Sequence, residues 1–165
     1  MDKKLEHIFL SEFETHQNIV HKICSLYTHD RASHYDLFQE VSIQLWKAYP
    51  KFRGDSKFST WMYRVAINTA ITQYRKNKRR TDTHDLENVL FKTQAYESYD
   101  PEEEQQLSLM YTAIKELNDI DKALIFLYLE DNNYQEISAT LGITEVNTRV
   151  KMNRIKKKLK KILNP

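Results

Sequence analysis

YQEISATLGITEVNTRVKMNRIKKKLKKIL (134–163) reads as two helices joined by a short turn at Gly142. On the first helix Ile137 and Leu141 face inward, and Ile143 anchors the turn. On the second, Thr148, Met152, Ile155, Leu159 and Ile162 follow one another at spacings of four, three, four and three, a continuous buried seam. Two cationic stripes flank that seam, Arg149, Lys156 and Lys160 on one side and Lys151, Arg154, Lys158 and Lys161 on the other. A turn glycine, an apolar seam and a cationic face together predict a helix-turn-helix whose second helix enters a DNA major groove. Arg149, Lys151 and Asn153 are placed to meet base edges or phosphates, and the later lysines to meet phosphate. The plainer alternative, a helical hairpin with a solubilising tail, accounts for the seam but not for the coincidence of all three features.

Working outward, the 165 residues hold only two glycines, Gly54 and Gly142, and three prolines, Pro50, Pro101 and Pro165. Sandwiches, barrels and doubly wound sheets need many more tight turns, so the expected class is all-α. With no two glycines close together, a Gly-rich phosphate cradle is excluded. Apolar residues make up 41% of the chain and charged residues 29%, which suits a soluble protein with a core. No apolar run approaches the roughly 18 residues of a membrane span, and the start MDKKLEHIFLSEFE lacks the pattern of a secretory signal. The single cysteine, Cys24, permits no internal disulfide, and a cytoplasmic location is expected.

The net charge of +2 conceals strong segregation. Residues 51–81 carry +8 and residues 145–165 carry +7, whereas residues 82–104 carry −7 and residues 105–144 carry −4. Two concentrated basic blocks separated by an acidic stretch are the footprint of a polyanion binder.

The expected organisation is two small helical domains, 1–80 and 107–165, joined by a flexible acidic linker over 81–106. In the first, Leu5, Phe9, Phe13, Val20, Ile23 and Tyr27 predict an opening helix or helix pair, and THDRASH (28–34) a connection. DLFQEVSIQLWKAY (36–49) predicts a second helix with Asp36 as N-cap and Leu37, Val41, Leu45 and Ala48 on one face. Phe52-Arg53-Gly54-Asp55 is a turn in which Gly54 supplies the left-handed residue. A long helix follows over 57–80, with Phe58, Trp61, Val65, Thr69 and Ile71 inward and a cationic last third. Its aromatics stand beside cations and small polar groups, a mixture suited to unstacked single-stranded bases. Trp61 and Phe58 are expected in the core all the same. In the second domain Leu107, Met110, Ile114 and Leu117, then Ala123, Leu124 and Leu127, continue the helical period.

FRGDSKFSTWMYRVAINTA (52–70), preceded by DLFQEVSIQLWKAY, closely resembles region 2 of sigma-70 family transcription initiation factors, within the extracytoplasmic-function (ECF) group. The 134–163 motif resembles region 4 of the same group, and the order and separation match, so the likeness spans nearly the whole chain. It implies that Asp36, Leu37, Gln39 and Glu40 dock on the clamp helices of the RNA polymerase β′ subunit. It implies that helix 57–80 recognises and opens the promoter −10 element through Lys57, Tyr63, Arg64, Asn68, Thr69, Thr72, Arg75 and Lys76, with Asn68 helping to hold a flipped base. Asn147, Arg149, Lys151, Asn153 and Arg154 match the reader of the −35 element, and the linker matches a segment that threads polymerase channels used by nucleic acid. Leu117-Asn118 stands where the family commonly has Leu-Pro, and Val146-Asn147-Thr148 where it often has Gly-Thr-Val. These departures spare the fold and leave the −35 preference open.

The implied partners are core RNA polymerase, through its β′ clamp helices and β subunit, and promoter DNA. The group also allows an anti-sigma factor. No cofactor, small-molecule substrate or catalytic residue is expected, because nothing resembles a P-loop, a paired-carboxylate nuclease site or a zinc protease helix. A metal site drawn from His16, His21, Cys24, His29 and His34 is not expected either, since only His21 and Cys24 share a helix face. The rival reading is a conventional helix-turn-helix regulator that acts without polymerase. It explains 134–163 but leaves 36–80 without a role.

Overall fold

The computed structural model describes residues 2–80 and 101–165, and among them every regular element is helical. The chain divides into two compact units, Met1–Phe91 and Lys92–Pro165. Of the expected flexible linker, 81–106, residues 81–100 lie outside the described residues, whereas 101–106 are helical.

The first unit packs three helices against one another: α1 (Lys3–Tyr27), α2 (Arg31–Ala48) and α3 (Phe58–Arg80). α1 is one continuous helix rather than a pair, capped by the Asp2 carboxylate on the Lys4 amide. Val20, Ile23, Cys24, Val41, Leu45, Met62, Ala66, Ile67 and Ala70 are fully excluded from solvent at its centre. Each of the larger aliphatic side chains among them contributes about 1.5–3 kcal/mol of burial. Burial pushes the Cys24 thiol up to about 12, so it is a core residue and not a nucleophile.

Two expectations shift here. α2 starts at Arg31, not Asp36, because Asp30 is the N-cap: its carboxylate accepts from the Ser33 amide at 2.7 Å and from the Ser33 hydroxyl at 2.8 Å. The added turn and a half is mostly exposed and carries no apolar stripe, which is why periodicity passes over it. In α3 the deepest residues are Met62, Ala66, Ile67, Ala70 and Ile71, so the buried stripe runs about one residue later than expected. The two alanines let α3 approach its neighbours closely, while Phe58, Trp61, Val65 and Thr69 are left half-buried at the edge. Phe58 and Trp61 join Phe9, Tyr49 and Phe52 in an aromatic cluster, with centroids 5.0 Å apart for Phe9–Tyr49 and Phe52–Trp61. Gly54, at φ 75°, turns the chain from that cluster into α3.

The second unit contains α4 (Pro101–Lys115), α5 (Asp119–Leu129), α6 (Tyr134–Leu141) and α7 (Glu145–Leu163). α4 begins several residues before its apolar period resumes at Leu107. Pro101 suits the first helical position, and Glu102, Glu103 and Glu104 suit the positive end of the helix dipole. Ile114 and Leu117 are buried, whereas Leu107, Leu109 and Tyr111 are 40%, 55% and 46% exposed. α5 is the central helix, with Lys122 to Leu127 all buried, and Lys122 itself only 1% exposed.

Candidate nucleic-acid interface

The turn between α6 and α7 is over-determined. Asn133 and Glu136 form a reciprocal capping box at the start of α6, with bonds of 2.9 and 2.8 Å. Gly142 ends α6 at φ 68°, and the Gly142 and Ile143 amides both reach the Ser138 carbonyl. Thr144 then caps α7 by accepting from the Asn147 amide at 3.1 Å. Thr148 is fully buried, and its hydroxyl is satisfied by donating to the Thr144 carbonyl. Thr148, Met152, Ile155 and Leu159 form the buried seam as expected, with Ile162 half-buried at its end.

The opposite face of α7 is cationic and open. Asn147, Arg149, Asn153, Arg154, Lys156 and Lys160 are exposed. Lys151 differs: it is half-buried, with its ammonium 3.8 Å from Asp121 in the first turn of α5. Arg149 donates to Glu145 at 2.7 Å. Lys156 donates to the Tyr128 hydroxyl at 3.2 Å, and that hydrogen bond raises the ammonium's pKa above its ordinary value.

In α3, Arg64, Asn68, Thr72, Arg75 and Lys76 form one exposed stripe, and Lys57 stands exposed just before the helix. The Thr69 and Thr72 hydroxyls donate to the carbonyls of Val65 and Asn68, both at 2.8 Å, so toward a ligand they act as acceptors. Tyr63 and Thr69 are half-buried. Tyr74, among the aromatics placed beside cations, packs edge-on against Tyr27 with centroids 5.7 Å apart.

The α2 residues separate into two sets. Asp36 and Gln39 are exposed, and Glu40 is half-buried, accepting from Gln44 at 2.8 Å. Leu37 is 7% exposed and belongs to the core, so it supports this face from beneath. Tyr35, 62% exposed, and Ile43, 45% exposed, complete the outward stripe with Gln39 and were not anticipated. Their spacing at i, i+4 and i+8, opposite Leu37, Val41 and Leu45, is the signal that would have found them.

Two of the histidines pair with each other. His21 and His34 stack at 5.4 Å with 3.1 Å between ring nitrogens, and His21 also stacks on Phe38 at 4.3 Å.

Comparison with known proteins is decisive. The family model described as Sigma-70 region 2 matches residues 13–80, and Sigma-70, region 4 matches residues 107–159. The RNA polymerase sigma-H factor of Pseudomonas aeruginosa is 30% identical over 158 residues, covering 88% of this chain and 82% of that protein. The ECF RNA polymerase sigma-E factor of Escherichia coli is 28% identical over 79% of this chain and 73% of its own length. Among solved structures, a Bartonella quintana sigma factor RpoE, in complex with the anti-sigma factor NepR, matches with a TM-score of 0.76. That match has 16% identity and covers 94% of this chain and 96% of that one. CnrH, in complex with the cytosolic domain of CnrY, matches with a TM-score of 0.67 and 16% identity over 96% of this chain and 89% of that one. Fold and site therefore define a DNA-binding transcription protein. The chain belongs to the sigma-70 family of RNA polymerase sigma factors, in its ECF group. It binds core RNA polymerase and promoter DNA, and it acts by binding rather than by catalysis.

Proposed function

We propose that the work of initiation is divided along the chain. Residues 1–80 bind core polymerase and the −10 element, 81–106 form an acidic connector whose last six residues are the opening turns of α4, and 107–165 read the −35 element. Asp36, Gln39 and Glu40, with Tyr35 and Ile43 beside them, dock on the β′ clamp helices, and Leu37 holds that face in place. The stripe Arg64, Asn68, Thr72, Arg75 and Lys76, with Lys57, Tyr63 and Thr69, engages the non-template strand as the −10 element opens. Asn147, Arg149, Asn153 and Arg154 meet the −35 duplex, and Lys151 contributes from the edge of that face. The connector's net −7 suits passage along channels that otherwise hold nucleic acid.

The observation that carries this reading is the outward face of α2. A regulator acting alone has no use for Tyr35, Gln39 and Ile43 lying open between acidic neighbours on a helix whose other face is buried. An anti-sigma protein that covers these faces in the cytoplasm is the natural means of holding the factor inactive.

Reconstitution with core polymerase tests the division of labour. The holoenzyme should protect both promoter elements from cleavage and open the −10 region, while the chain alone binds promoter duplex weakly because acidic segments oppose the basic blocks. Tight, salt-sensitive promoter binding by the chain without core would overturn the assignment.

A further inference from the structure

Arg149 is restrained from two directions. Its Nη2 donates to Glu145 Oε1 at 2.7 Å, one turn earlier on α7, although the two side chains remain 58% and 46% exposed. Its guanidinium carbon lies 4.8 Å from the centroid of the Tyr134 ring. Tyr134 is the first residue of α6, so the first helix of the helix-turn-helix holds an arginine of the second. Behind it, Tyr134 stacks on Tyr128 at 6.2 Å, and Lys156 covers the Tyr128 ring at 4.5 Å.

This arrangement is unsuited to simple phosphate attraction. A cation meant only for phosphate gains nothing from a carboxylate beside it, because the carboxylate repels the backbone. Arginine has five donors in a planar fork. With one donor on Glu145 and one face on Tyr134, the rest of the fork stays available in a fixed plane, as bidentate recognition of a base edge requires.

We propose that Glu145 and Tyr134 are positioning residues that aim Arg149 at one base pair and keep it off the phosphates, so that they set sequence preference in the duplex element that α7 reads. The proposal rests on the assignment of α7 as the −35 reader and adds two residues outside the expected contact set.

The experiment uses holoenzyme assembled from core polymerase and the full chain, on a promoter selected from a randomised pool by the wild-type holoenzyme. Each base pair of the −35 element is then substituted in turn, and affinity is measured for wild type, R149A, E145A, E145Q, Y134L and Y134F. R149A identifies the base pair that the arginine reads. At that base pair E145A and Y134L should each reduce discrimination about two- to threefold, the scale of a helical ion pair and of an exposed cation–π contact respectively. Other positions should keep their preference. E145Q, which retains a neutral acceptor, should fall between wild type and E145A, and Y134F, which retains the ring, should match wild type. E145A should also bind non-specific duplex more tightly, having lost one negative charge. Unchanged discrimination in E145A and Y134L, with R149A defective, would overturn the positioning role and leave the α7 assignment standing. A uniform loss at every position would show a merely structural role. Absence of any base-pair-specific effect in R149A would overturn the α7 assignment itself.

Discussion

Lys151 Nζ stands 3.8 Å from Asp121 Oδ1, an ion pair that ties the middle of α7 to the first turn of α5. The lysine side chain is 30% exposed and the carboxylate 20%, so this cation is committed inward while Arg149 and Arg154 remain at the surface. Lys151→Ala should therefore weaken −35 binding less than Arg149→Ala, for which loss of one good base contact costs about 1–3 kcal/mol. Asp121→Asn should release Lys151 and raise affinity for duplex DNA, with a stability change of at most about 1 kcal/mol. Anisotropy titrations of the holoenzyme, alongside thermal melts, separate these effects. Equal losses for Lys151→Ala and Arg149→Ala would count against the distinction.

Leu37 and Gln39 are close in sequence but sit on opposite sides of α2. Leu37→Ala should cost about 2–3 kcal/mol of stability through the cavity it leaves. Gln39→Ala and Ile43→Lys should leave the melting temperature nearly unchanged and reduce capture by core polymerase. A pull-down that is indifferent to both surface changes would remove α2 from the polymerase interface.

Gly142 has open space where a Cβ would lie, so its requirement is conformational rather than steric. At φ 68°, Gly142→Ala incurs the left-handed penalty of about 1–2 kcal/mol, offset in part by reduced freedom of the unfolded chain. The expected net loss is about 1 kcal/mol. Because the turn aims α7, promoter binding should fall with it. A melting temperature equal to wild type would refute the argument.

The His21–His34 pair introduces a pH dependence. Burial lowers both rings below the ordinary value of 6.5, and the neighbouring His21 lowers His34 further. Each folded-state value lies below the unfolded one, so between them the unfolded chain binds more protons. The contribution is complete above pH 6.5 and declines as pH falls toward the folded values. Comparing melting temperatures at about pH 7.5 and 5.5, spanning the histidine range, should show a smaller drop for His34→Gln than for wild type. Parallel drops would exclude the pair as the source.

Some of this was legible in the chain and some was not, for physical reasons. The α7 seam, Gly142 and Gly54 are local statements, and a helical period or a required positive φ carries them intact. The α3 stripe was displaced because large side chains announce a face, while close packing selected Ala66 and Ala70. Lys122 carries no hydropathic sign of its burial, which depends on α5 being surrounded by its neighbours. The resemblance grouped Leu37 with Asp36 and Gln39, although the helical period had already set it on the apolar face with Val41 and Leu45. Thr144, Asn133 and Asp30 were missed as caps, though an S/T/D/N followed by a polar residue at the third position was available at each.

Cys24, alone of its kind in the chain and wholly enclosed by the first unit, supplies a stopwatch for that unit. A thiol-reactive dye can label it only during moments when the three helices part. Its labelling rate therefore measures how often the first unit opens, with no interference from the second. The wild-type protein needs no engineered probe for that measurement, and an occupant on the outward face of α2 would register as a slower clock.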